Sequence, residues 1–393
     1  MSTNEAFLGL VCTGTGERDD ATATGRSGAG ARLEAAYDYD AVDWAGDAGD
    51  ALADELDSMW RYADLLAFAD PLTAAEGGTP LVSAPALAEE ADLGSLWIKD
   101  EGRNPTGTVL DRGLAPAVTA AREADADLVA LASPGNAGQS AASYAGMADL
   151  RSYAFVPSRA PFSNKAMINV HGGEMRVVGG RYPDAEAALH EQLQSEWYTL
   201  EAFDNPHRHD GIKTVAFEIA ESRSWSVPDG VVVPAGTGEV VAGVEKGFRE
   251  LREIEVIDDV PPIYLAQPSG CAPIVAAHER GADSIEPWES PDTIVGELEI
   301  PQPAGGDVAL DAVQSTGGGV VAVDDEDSLE SAVLAAQRVG VEASPAGGVA
   351  LAGAAALADE GTFGSDDDVV VLNTASGVKT ADVLRSHLMG KGV

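Results

Sequence analysis

Two glycine-rich turns have the residue types and spacing needed to hold an anion. The first is Ala132-Ser133-Pro134-Gly135-Asn136-Ala137-Gly138, and the second is Pro234-Ala235-Gly236-Thr237-Gly238-Glu239-Val240. Each leaves a short apolar run and opens a helix-like segment, so its backbone N–H groups would converge where a phosphate is stabilised. Taken singly, each turn is explained equally well by the geometry of a strand-to-helix connection. Metal chemistry has little support. Cys12 and Cys271 are too few for a disulfide framework or a four-ligand zinc site. Of six histidines only His207 and His209 stand close, and that pair is expected on a surface loop.

The elements that must position these turns are legible as an alternation. Strands are predicted at 96–99, 128–132, 153–156, 175–178, 231–234, 263–267, 319–323 and 369–373, all short, apolar and rich in Val and Ile. Helices are predicted over 47–68, 138–148, 183–195, 239–253, 328–338 and 347–360. Such alternation implies an α/β protein with mostly parallel sheets covered on both faces, and ligands beyond the carboxyl ends of the strands. At 393 residues the chain is long for one core, so two domains are expected.

Charge narrows the partners. Sixty-five Asp and Glu face 24 Lys and Arg, a formal net charge of −41, spread along the chain. The lysines are Lys99, Lys165, Lys213, Lys246, Lys379 and Lys391. A uniformly acidic, lysine-poor surface suits molar salt, where the Debye length is about 3 Å; an acidic mesophilic protein is the alternative. Nucleic acid is disfavoured as a partner by the same charge. No apolar run reaches the roughly 18 residues of a membrane span, and no basic-flanked signal begins the chain, so a cytoplasmic protein is expected.

The motifs in order carry a resemblance. Lys99-Asp100-Glu101-Gly102-Arg103-Asn104-Pro105-Thr106-Gly107 resembles a stretch of threonine synthases that continues Ser-Phe-Lys-Asp-Arg-Gly; here the continuation is Thr108-Val109-Leu110-Asp111-Arg112-Gly113. Ser133 to Asn136, Gly211-Ile212-Lys213-Thr214, Gly236 to Val240 and Leu372 to Lys379 resemble further motifs of that family. The chain is thus identified as resembling the threonine synthase family of fold type II enzymes, which use pyridoxal 5'-phosphate (PLP). The resemblance implies two three-layer α/β/α domains: a large one (46–110 and 189–393) and a small one (111–188), after a ribbon-like leader (1–45) that has lost its metal. It places Asn136 over the coenzyme ring, Gly236, Thr237, Gly238, Glu239 and Val240 around its phosphate, and Thr374 at the ring nitrogen. Thr106, Ser133 and Arg208 fall on the substrate side, Lys213 is structural, and no zinc is implied.

The departures bear on chemistry. In the family a lysine amine captures PLP and then shuttles protons; Leu110 stands in its place. Lys99, Lys213 and Lys379 match positions that coexist with that lysine, and none of the six is expected at the coenzyme. Glu239 replaces a small residue of the phosphate loop, where it either repels a phosphate or points outward as a helix-start acid. Ala202 replaces a phosphate-holding asparagine and Asp204 adds a charge. The expectation is a catalytically impaired paralogue with a ligand-binding or regulatory role, any PLP being held non-covalently. The alternative is a working lyase (a threonine synthase, converting O-phosphohomoserine to threonine and phosphate, or a serine/threonine deaminase) that uses another lysine. A homodimer, or a partnership with an active threonine synthase, is implied by the same resemblance.

Overall fold

The computed structural model describes residues 2–25, 31–42, 44 and 58–390. Three sheets organise them. The largest has six strands in the order Val320–Val323, Ile263–Pro268, Gly230–Pro234, Asp368–Asn373, Ser95–Asp100 and Leu81–Ser83. All pairs are parallel except the edge strand Leu81–Ser83, which runs antiparallel to Ser95–Asp100. A second sheet of four parallel strands follows the order Glu174–Val178, Arg151–Pro157, Leu128–Ala132 and Tyr198–Thr199. Its last strand lies beyond residue 188, where the sequence reading ended the smaller domain.

The central strands read as near-continuous Val runs because both of their faces are covered. Val231, Val233, Val370 and Leu372 enter one apolar cluster with the helix Glu239–Glu253, while Val232, Val369 and Val371 enter the other with the helix Pro345–Asp359. Alternate residues of one strand thus feed opposite cores, as the two-residue period of a strand demands.

The third sheet is antiparallel, with Phe7–Cys12 between Arg18–Asp19 and Leu33–Tyr37. It docks on the short helix His207–Ile212. His207 Nε2 lies 2.7 Å from the Ala21 carbonyl, His209 Nε2 lies 2.8 Å from Glu34 Oε2, and the Tyr37 hydroxyl donates to Asp210 Oδ2 at 2.6 Å. Both histidines are buried. The surface-loop expectation for this pair is therefore corrected, and the reason is tertiary: a segment 186 and 175 residues earlier in the chain covers them. The expected helix over 47–68 lies partly outside the described residues; its described end, Met59–Leu65, is a 3-10 helix. Among the described residues no helix is long and apolar enough to cross a membrane.

Two helices that position the site cross at bare backbone. A Cβ on Gly113 would stand 2.3 Å from the Arg208 carbonyl oxygen, and one on Gly211 would stand 2.0 Å from that of Arg112. Only glycine permits this approach. It fixes the start of the helix Leu110–Glu123 against the helix His207–Ile212, which carries Arg208.

Candidate functional site

The cleft forms where strand ends from both parallel sheets face each other. Strand Leu128–Ala132 delivers Pro134 and Asn136, the latter opening the helix Asn136–Met147. Strand Gly230–Pro234 delivers Gly236 to Gly238 and the helix Glu239–Glu253. Gly238 adopts φ +94°, and a Cβ there would meet the Gly305 carbonyl oxygen at 2.5 Å. Strand Asp368–Asn373 delivers Thr374, whose carbonyl accepts from the Val109 N–H at 2.9 Å. That bond places Leu110, the first residue of its helix, beside Thr374.

The inner compartment has a volume of about 80 Å³ and is lined by Leu110, Asn136, Arg208, Gly236, Glu239 and Thr374 among others. Thr237 and Val240 line it too, and Gly238 supplies the helix cap behind them. Ser133 and Thr106 are buried but do not line it. The Ser133 hydroxyl accepts from the N–H groups of Gly135 and Gly138 at 3.0 and 2.9 Å. The Thr106 hydroxyl donates to Asp111 Oδ1 at 2.6 Å. The sequence-predicted coenzyme residues therefore converge, whereas two of the three predicted substrate residues use their hydroxyls in shaping turns.

Glu239 turns inward. It is 3 % exposed, and Arg208 Nη2 donates to its Oε1 at 2.6 Å, with the Thr237 hydroxyl 3.2 Å from the same oxygen. Arg208 Nη1 is spent on the Leu200 carbonyl at 2.7 Å. Glu239 Oε2 is buried without a hydrogen-bond partner. The outward-pointing reading of Glu239 is thereby corrected, because a partly fixed guanidinium waits inside and an acid in the first turn of a helix is stabilised there.

Two residues that motif reading did not place in the cleft join it through Asn136. Its Nδ2 donates to Glu297 Oε2 at 2.8 Å, and its Oδ1 accepts from Asn164 Nδ2 at 2.8 Å and from Lys379 Nζ at 3.0 Å. Lys379, Glu297 and Asn136 also border an outer compartment of about 430 Å³, within the range of ~300–1,000 Å³ typical of small-molecule sites. Burial pushes the Lys379 amine down to about 8, and the carboxylates of Asp111 and Glu297 offset only part of that fall. An amine that deprotonates near neutrality can attack a carbonyl carbon. The signal that could have found Lys379 was its spacing, five residues after Thr374 on the turn leaving the same strand. Glu297 comes from an irregular stretch and left no such signal.

Comparison with known proteins agrees with this architecture. The family model described as "Pyridoxal-phosphate dependent enzyme" matches residues 72–375. The threonine synthase of Methanocaldococcus jannaschii is 33% identical over 362 residues, covering 90% of this chain and 88% of the relative. The threonine synthase of Methanosarcina acetivorans is 34% identical over 346 residues, covering 87% and 84%. Among solved structures, diaminopropionate ammonia lyase from Escherichia coli superposes with a TM-score of 0.71 at 17% identity, covering 81% of this chain and 90% of that one. At that identity the likeness concerns the fold alone, which is fold type II.

Proposed function

This chain belongs to the family of pyridoxal-phosphate-dependent enzymes, and from that premise we propose that it is a threonine synthase-like protein with Leu110 at the position of the coenzyme-capturing lysine. Its role is to bind a small ligand or regulate a partner in the cytoplasm, as a catalytically impaired paralogue. The observation that carries this reading is the place of Leu110: an apolar side chain lines the inner compartment together with Asn136, Gly236 and Thr374.

The coenzyme implied by the family needs an amine for its aldehyde and an anion cradle for its phosphate. Asn136, Thr374 and the bare turn at Gly236 and Gly238 suit its ring and chain. Both ends of the coenzyme meet the wrong groups, however. Leucine offers no nitrogen, and the cradle already holds the Glu239 carboxylate paired with Arg208. The residues present do not fit PLP held in the family's manner.

One observation favours a second reading. Lys379, with its lowered pKa and its bond to Asn136, is the amine that a working lyase would recruit. Borohydride reduction in the presence of PLP, followed by peptide mapping, separates the two. The expected result is no pyridoxyl-lysine peptide and no phosphate release from O-phosphohomoserine. A labelled Lys379 peptide together with turnover would establish the second reading instead.

The charge supports a further expectation, a halophilic setting. With a net charge of −41, screening by salt should relieve self-repulsion. The thermal midpoint should rise steadily from low to molar KCl. A flat or falling midpoint would favour an ordinary acidic protein.

A further inference from the structure

We propose that Glu239 takes the place of a phosphate in this cleft, so that the inner compartment excludes phosphorylated ligands and seats the hydrogen-bond-donor end, an ammonium or amide, of an unphosphorylated one. The inference goes beyond the reading of position 110, because a cleft without a capturing amine could still hold a phosphorylated molecule by its phosphate.

The geometry carries it in three steps. Where the turn after Pro234 opens into the helix Glu239–Glu253, the helix N-terminus favours negative charge. The carboxylate of Glu239 supplies that charge from within the chain, and Arg208 neutralises it at 2.6 Å, both side chains being 4% exposed. Arg208 is the only cation lining the compartment among the described residues, and its other terminal nitrogen is held by the Leu200 carbonyl. An incoming phosphate would find no free cation.

The lining is moreover short of positive charge. It contains two carboxylates, Glu239 and Glu297, against the single guanidinium. Glu239 Oε2 is a buried acceptor with no donor. A buried acceptor left unpaired is costly, and a ligand N–H relieves that cost. Leu110, Val109, Leu298 and Ile300 form apolar walls around it, so the donor would belong to a small, otherwise apolar group.

Pyridoxamine and pyridoxamine 5'-phosphate are suitable probes, because they share ring and amine and differ only in the phosphate. Neither has an aldehyde, so their binding is independent of whether any lysine captures PLP. Calorimetric titration of the wild-type protein should show pyridoxamine preferred over its phosphate. In Glu239→Thr, which empties the cradle and frees Arg208 Nη2, affinity for the phosphorylated probe should rise by at least roughly tenfold. Inorganic phosphate should compete in that variant alone. Glu239→Gln, which keeps the shape and removes the charge, should move the preference in the same direction if Glu239→Thr folds poorly. A wild-type preference for the phosphorylated probe overturns the proposal. So does a folded Glu239→Thr or Glu239→Gln variant with no gain in affinity for it.

Discussion

Replacing Arg112 by methionine is expected to destabilise the protein by about 3–5 kcal/mol, read as a lowered midpoint of denaturant unfolding. Arg112 is fully buried, and its guanidinium bridges two buried carboxylates. Its Nε and Nη2 donate to Glu101 at 2.6 and 2.9 Å, and its Nη1 and Nη2 donate to Glu218 at 2.8 and 2.7 Å. Lys99 Nζ joins from the far side, 2.6 Å from Glu218 Oε2. Burial alone would raise the carboxyl pKa of Glu218, yet the Arg112 and Lys99 charges overcome it and hold that group well below its usual range. Methionine fills the space but leaves Glu101 and Glu218 with only the Lys99 ammonium between them, 4.0 and 2.6 Å away. Arg112→Lys should recover only part of the loss, since an ammonium cannot fork between two carboxylates. Lys99→Met should cost less than Arg112→Met, because Glu218 keeps its Arg112 bonds. A cost below about 1 kcal/mol for Arg112→Met would mean that this network does not brace the fold.

That network also explains what the sequence could and could not reveal. The Lys99 to Gly107 run and Asp111-Arg112-Gly113 were recognisable as motifs, and their buried members Lys99, Glu101 and Arg112 serve the scaffold beneath the cleft. All eight predicted strands are present, and the helix Glu239–Glu253 was found to the residue. Such elements show because their apolar period is set locally. The helix Leu110–Glu123 is absent from the sequence reading, and it contains Gly113 and Pro116, two poor helix formers. Packing overrides them, with eleven of its residues buried. Gly113 is there to let the Arg208 carbonyl approach, a demand from a residue far along the chain. The site follows the same rule. Each glycine turn is contiguous and was legible, whereas Glu297 and Lys379 reach Asn136 across 161 and 243 residues. The inward pairing of Glu239 with Arg208 likewise depends on a contact between separate helices.

A second large effect is expected from Glu201, at the turn that bonds strand Leu128–Ala132 to the cleft. Glu201 Oε1 accepts from the Ala132 N–H at 2.5 Å, next to the first glycine turn. Burial pushes its carboxyl up to about 8, while the Ala132 N–H and Arg208 pull it down and Glu186 and Asp204 push it further up. The folded pKa lies above the unfolded value near 4.5, so the folded state binds more protons between the two. Stability from this group is therefore complete below about 4.5, falls as pH rises toward about 8, and is level beyond. Glu201→Gln keeps an oxygen for the Ala132 N–H and deletes the titration. The difference in unfolding free energy between variant and wild type should be small near pH 5 and should grow with pH. By pH 8 the variant should be more stable by an amount on the order of a few kcal/mol. Urea unfolding at a series of pH values measures this directly. If the two stability profiles ran parallel from acid to alkaline pH, Glu201 would already be ionised in the folded protein, with Arg208 rather than a proton meeting its charge.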